Sequence, residues 1–197
     1  MTHQQLFALA AFALVTSITP GPNNLVLMSS GANFGVRRTV PHMLGVALGF
    51  VFMAVLVGVG LAQAFAAVPQ LYTALKVASV TYLLYLAWKI ATALPPGEAA
   101  RAGRPMTFLA AAAFQWVNPK AWAMALTAVS VYAPSQTMAG IAVVAVVFGF
   151  INLPSVGIWA VLGQGMRRVL TNPTRMRAFN VLMAILLILS LYPVLLH

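Results

Sequence analysis

The sequence predicts an all-α polytopic membrane protein, six transmembrane helices arranged as a 3+3 inverted repeat with spans one and four broken at prolines. Three observations lead there. The composition is too apolar for water. Apolar runs long enough to cross a bilayer recur six times, with the arginines gathered in alternate loops. Helix-breaking motifs sit inside two of those runs, one in each half of the chain.

Apolar residues fill 62% of the 197 positions and charged residues 6%, against roughly 25% charged in a soluble domain. Too little polar surface remains to cover a globule in water. The net charge of +10 does not point to nucleic acid. That function needs basic residues gathered on one face, whereas here they fall in short clusters between apolar runs, as the loop residues of a membrane protein do. Cysteine is absent and Glu98 is the one acidic residue. Disulfides and thiolate chemistry are therefore excluded, and three scattered histidines supply no metal site. Neither a carboxylate pair nor a nucleophile beside a base is visible, so an intramembrane enzyme is not expected, nor any catalytic residue or cofactor. Residues 1–5 hold no Lys or Arg and no A-x-A cleavage site follows, so the first segment is expected to stay as a membrane helix.

At about 20 apolar residues per crossing, the segments run about 4–33, 39–66, 69–94, 106–132, 136–165 and 177–196. The first would be about 45 Å long as one straight helix, too long for one crossing, and Pro20 and Pro22 flank Gly21 in its middle. It reads as two half-helices. Arg37 and Arg38 fall in the first loop, Arg101 and Arg104 in the third with Lys89 just before it, and Arg167, Arg168, Arg175 and Arg177 in the fifth. The second loop (68–70) and the fourth (133–137) carry no charge. The positive-inside rule then places the odd loops in the cytoplasm and both termini in the periplasm, across a bacterial inner membrane. The third loop, 94–105, is the Pro/Gly-rich polar linker. It divides a single membrane domain, 1–197, into repeats of about 1–97 and 98–197. Three spans in each half force opposite orientations, so a repeat must be inverted. Gly49-Phe50 recurs as Gly149-Phe150, and the break at 20–23 answers to Asn118-Pro119.

Proline inside a helix removes a backbone hydrogen bond and frees a carbonyl one turn earlier. In lipid such groups are tolerated only where they face protein or a water-filled cavity. Thr19-Pro20-Gly21-Pro22-Asn23-Asn24 concentrates these features. In span four, Gln115-Trp116-Val117-Asn118-Pro119-Lys120 holds Asn at a cap and Pro at the first helical position, a favoured start for a helix. A start in mid-membrane aims free N–H groups at the bilayer centre, where they attract anions. Interrupted segments in corresponding positions of two halves mark a transporter's binding site. Lys120, about fourteen residues or roughly 20 Å into span four, is too deep to snorkel readily.

The Thr-Pro-Gly-Pro-Asn run, Gly35-Val36-Arg37-Arg38 and the stretch Tyr82-Leu83-Leu84-Tyr85-Leu86-Ala87-Trp88-Lys89 resemble the lysine-exporter (LysE/RhtB) family of amino-acid exporters. Phe114-Gln115-Trp116-Val117-Asn118-Pro119-Lys120 is similar to that family's second signature. The resemblance covers nearly the whole chain and implies a six-span carrier that expels amino acids or related metabolites. Asn23-Asn24 and Trp88-Lys89-Ile90-Ala91-Thr92 resemble its cysteine/O-acetylserine branch.

The expected activity is secondary transport that exports small, neutral amino acids or derivatives from the cytoplasm. The substrate carboxylate would meet the helix N-termini near Asn23 and Asn118, with Lys120 beside them. Its ammonium would meet unpaired carbonyls before the breaks, with Thr19, Asn23, Asn118 or Gln115. The expected binding residues are thus Thr19, Pro20, Gly21, Pro22, Asn23, Asn24, Gln115, Asn118, Pro119 and Lys120, joined by Asn152, which either lines the pathway or bonds a neighbouring helix. No acid lies within the spans to pair a second positive charge, which disfavours lysine and arginine. The alternative is a passive small-solute channel with two half-helices meeting at mid-membrane. The expected partners are a small amino-acid substrate and membrane lipid, with a homodimer left open. Gly31/Gly35 and Gly45/Gly49 are expected to be packing pairs. His42, Trp88 and Trp159 are expected at the interface, and Lys76 is expected to snorkel. If protons are coupled, His42 or the substrate carries them.

Overall fold

The structure, a computed structural model, describes residues 1–61, 63, 67–93, 103–133, 137–167, 169–170 and 172–192. Among them all regular structure is helical. Most of the third loop, with Glu98 and Arg101, together with Arg168 and the end of the sixth segment, lies outside the described residues.

Helix α1, His3–Ile18, opens on a capping box in which Thr2 and Gln5 exchange hydrogen bonds. It ends where Pro20 and Gly21 interrupt it, and α2, Pro22–Phe34, starts with Pro22 at its first position and bends away by 54°. A positive φ of 80° at Gly35 turns the chain straight into α3, Val36–Leu56, which runs on as one π-helical turn, Val57–Leu61. Helix α4 spans Pro69–Ala91. A short α5, Phe108–Phe114, capped by Thr107, passes through a 3-10 turn, Gln115–Val117, to α6, Pro119–Tyr132. Helix α7, Met138–Met166, is the longest, and α8, Pro173–Leu189, is capped by Asn172. By length and composition, 36–61, 73–91 and 138–166 can each cross a membrane, and α1 with α2 can do so as a bent pair.

Several expectations change here. Gly35 is a turn residue rather than a packing one, because only its left-handed backbone lets α2 reach α3 in a single step. The first loop therefore shrinks to that residue, and Arg37 and Arg38 belong to the first turn of α3. Arg175 and Arg177 likewise sit in the opening turns of α8. His42, expected at the interface, is wholly buried. Helix α3 starts early enough to carry it about 9 Å inward from Val36.

Glycines set the packing. A side chain at Gly31 would strike the Ala160 backbone, and one at Gly163 the Met28 backbone, so α2 and α7 touch main chain to main chain. Gly45 lies against the Phe108 carbonyl, and a β-carbon on Gly49 would come within 2.6 Å of Ala112, which seats α5 on α3. Close approach through small residues is how helices associate in lipid. The Gly-Phe echo stops at the sequence: Gly149 meets nothing nearer than Val51 at 3.6 Å. Helix α1 lies along α7, α3 along α7, and α4 along α8. Phe50 and Phe148 pack at 4.8 Å in the centre, and an Asn33–Asn180 amide pair at 3.0 Å ties α2 to α8.

The burial pattern differs from a soluble protein's in two ways: many polar side chains lie inside with the apolar core, and large apolar ones face outward. Asn24, Asn33, His42, Gln115, Asn118, Asn152 and Asn180 are buried, while Phe7, Leu109 and Phe150 stand more than three-quarters exposed. A hydrocarbon solvent produces this arrangement, because an apolar exterior is free there and polar groups need partners inside.

Candidate functional site

The chain around Thr19–Gly21 shows why the first interruption matters. Regular bonding ends at Thr19, whose N–H reaches the Val15 carbonyl. From there on, each carbonyl is satisfied by a side chain. The Thr16 carbonyl accepts from the Thr19 hydroxyl at 3.2 Å, and the Asn24 amide bridges the carbonyls of Ser17 and Thr19, each at 2.8 Å. Trp159 of α7 donates its indole N–H to the Ile18 carbonyl at 3.0 Å. Lys120 of α6 completes the set. Its ammonium donates to the Thr19 carbonyl at 2.7 Å, the Thr19 hydroxyl at 2.9 Å and the Pro20 carbonyl at 3.3 Å.

This corrects the expectation of unpaired carbonyls waiting for a substrate. Those carbonyls already hold an ammonium, the chain's own. The fit extends along the stem, since a β-carbon on Gly21 would lie 2.7 Å from Lys120 Cδ. Gly21 is extended, with φ 177°, so room for the lysine and not backbone freedom calls for glycine there. On the N-terminal side of α2 no side chain caps the helix. The N–H groups of Asn23 and Asn24 have no partner among the described residues.

The second interruption closes on itself. The Gln115 carbonyl accepts from the Asn118 N–H at 3.3 Å. Asn118 Oδ1 caps the Lys120 N–H at 3.1 Å, and the Trp122 indole N–H fills the Trp116 carbonyl at 2.9 Å. Pro119 takes the first helical position, where its missing N–H is harmless. The two breaks join through the Asn23 and Gln115 amides, which exchange hydrogen bonds at 2.9 and 3.3 Å. Gln115 also donates to the Ala111 carbonyl.

Between the breaks lies a cavity of about 20 Å³, lined by Ser17, Gly21, Asn23, Asn24, Asn118, Lys120 and Asn152 among others. That is room for a water or two. Asn152 is 4% exposed, and its amide has no partner among the described residues; it lines the cavity rather than bonding a neighbouring helix. The buried Ser17 hydroxyl also has no hydrogen-bond partner among the described residues.

Of the expected binding residues, Gly21, Asn23, Asn24, Asn118, Lys120 and Asn152 line this cavity. Thr19 and Pro20 reach it through Lys120, and Gln115 through Asn23. Pro22 and Pro119 act by starting their helices. Ser17 and Trp159 were missed. Ser17 carries a faint signal, a hydroxyl in the last turn before a proline break. Trp159 carries none, because its position beside Ile18 depends on how α7 crosses α1.

A family model described as LysE type translocator matches residues 14–190. The chain is similar to the cysteine/O-acetylserine efflux proteins of Escherichia coli strains K12 and E24377A and of Shigella sonnei. Each is 33% identical over 195 residues, covering 95% of this chain and 96% of the relative. No solved structure matches it.

Proposed function

The chain belongs to the LysE type translocator family, and we propose that it is a multi-pass inner-membrane secondary transporter exporting small neutral amino acids or their derivatives. Cysteine and O-acetylserine, the solutes in its relatives' names, head the candidates. The observation that carries the reading is the Lys120 ammonium on the carbonyls of Thr19 and Pro20. A seat that satisfies one primary ammonium suits another. In the cycle we infer, the cavity widens and the substrate ammonium takes that seat as Lys120 leaves it. The freed Lys120 and the uncapped N–H groups of Asn23 and Asn24 then meet the carboxylate. Asn118, Asn152 and Ser17 bond the side chain of the substrate. A second positive charge would find no carboxylate among these groups, so lysine and arginine are poor cargo.

We read the architecture as one domain of six spans, with α1 and α2 forming the first, and α5 and α6 the fourth. Repeats of about 1–97 and 98–197 are inverted, and both termini are periplasmic. Two features support this. The contact of α1 with α7 has its counterpart in that of α5 with α3, and α3–α7 and α4–α8 pair corresponding helices. The hydrogen bond from Tyr132 to the Ala8 carbonyl joins two segment ends on one side, while Arg38 bonds the Gly103 carbonyl on the other.

Vesicles loaded with labelled O-acetylserine, threonine or arginine test the function. Efflux of the neutral solutes with trans-stimulated exchange is expected. Efficient arginine efflux with the neutral solutes inert would overturn the substrate reading, and efflux without exchange would make the protein a channel.

A further inference from the structure

A far larger cavity, about 900 Å³, opens beside α2 and α4 near the end of the bundle where Arg38 meets Gly103. Its volume lies within the roughly 300–1,000 Å³ of small-molecule sites. The described charged residues of its lining are Lys89 and Arg104, both cations, and Lys89 stands 5.5 Å over the Tyr85 ring. Ser29 and His42 form part of its inner wall. His42 is fully buried, with both ring nitrogens closed off from the chamber and without a hydrogen-bond partner among the described residues. An imidazole left so lowers stability, and a hydrophobic side chain there would serve packing better.

The chamber also connects in sequence to the cavity at the breaks. Asn23 lines the small cavity and Val26, one turn further along α2, lines the large one. On the other side Ala110 lines the large cavity and Asn118 the small one, with Gln115 between them. The hydrogen-bonded Asn23–Gln115 pair therefore stands between the two spaces.

We propose that this chamber is a second binding site, a vestibule for small carboxylate-bearing solutes. Lys89 and Arg104 attract and hold the carboxylate at its mouth, and the Ser29 hydroxyl lies deeper in. The Asn23–Gln115 pair separates it from the ammonium seat. The proposal rests on the export reading for the identity of the solute, but its test reads occupancy without transport.

The absence of cysteine makes Ala110→Cys the one thiol of the protein. In phosphatidylcholine nanodiscs, an anionic methanethiosulfonate should modify it at least about tenfold faster than a cationic one, by electrostatic focusing. L-Threonine should slow the reaction, and its methyl ester, which lacks the carboxylate, should not. Adding Lys89→Gln and Arg104→Gln, both at exposed positions, should abolish the charge preference and the protection. His42→Leu should keep or raise the thermal midpoint and leave threonine protection unchanged. Should it fail to insert, the Lys89/Arg104 pair decides alone. Equal protection by acid and ester, protection by neither, or protection that follows added phosphatidylglycerol instead of threonine would each overturn the proposal, the last by making the chamber a lipid site. Protection without vesicle efflux would instead sustain the vestibule and defeat the export reading.

Discussion

The two helix interruptions solve the same problem in opposite ways. At Asn118-Pro119 the loose backbone groups are taken up locally, by an asparagine cap, a proline at the first position and a nearby indole. At Pro20-Gly21 the helix start has no side-chain cap, and carbonyls are served by Lys120 from α6 and Trp159 from α7. A self-contained break can be rigid. A break completed by borrowed donors can exchange them, and a charged donor on a flexible stem exchanges most readily. Under the proposed function, the first break is the seat for a transported ligand, and the second is the scaffold that delivers Lys120 to it.

The most damaging test removes the first break. Pro20→Ala with Pro22→Ala restores two backbone donors at the best helix-forming residue, favouring one continuous helix in place of the 54° bend. Insertion should persist and efflux from loaded vesicles should vanish. Normal efflux would reduce this break to a bend and erase the contrast with the second.

Next in size is Lys120→Ala. It empties the seat on Thr19 and Pro20 and removes the cation, so efflux should fall by more than about tenfold or the apparent KM rise comparably, with unchanged membrane content. Lys120→Arg should rescue poorly, because a planar fork cannot place three short bonds as a compact ammonium does. Wild-type kinetics in Lys120→Ala vesicles would show that the lysine only seals a crevice.

Much of this was legible beforehand, and for physical reasons. Lipid demands long apolar runs, so helix positions could be read to within a few residues, and prolines marked both interruptions, with an Asn cap at the second. Three-dimensional consequences were hidden. Nothing in the sequence says that Lys120 and Thr19, a hundred and one residues apart, share hydrogen bonds. The sequence cannot tell that Asn24 rather than Asn23 bridges the broken carbonyls. His42 looked interfacial because Pro41 and two arginines precede it, but a one-residue turn at Gly35 carried it into the core.

A smaller effect should follow from Asn24→Ala. The Ser17 carbonyl would lose its donor, while Thr19 keeps Lys120. An unsatisfied buried acceptor costs about 1–3 kcal/mol, to be read as a lowered thermal midpoint. An unchanged midpoint would mean that the Asn24 amide does not hold the first break together.

Asn118→Ala should cost least, and it separates two roles that the second break could hold. Losing an asparagine cap costs typically about 1 kcal/mol, and the Lys120 ammonium, held by Thr19 and Pro20, should stay where it is. The midpoint should therefore fall less than in Asn24→Ala. Asn118 also lines the small cavity, and its amide nitrogen is not engaged by the cap, which uses Oδ1. Asn118→Ser can keep the cap while deleting that amide. If Asn118→Ser restores both stability and efflux, the residue is a cap alone and the second break is pure scaffold. If stability returns and efflux of threonine or O-acetylserine stays impaired, the amide touches cargo. The contrast between the breaks would then narrow to where the ammonium sits, with the first break holding the charge and the second reading the rest of the molecule.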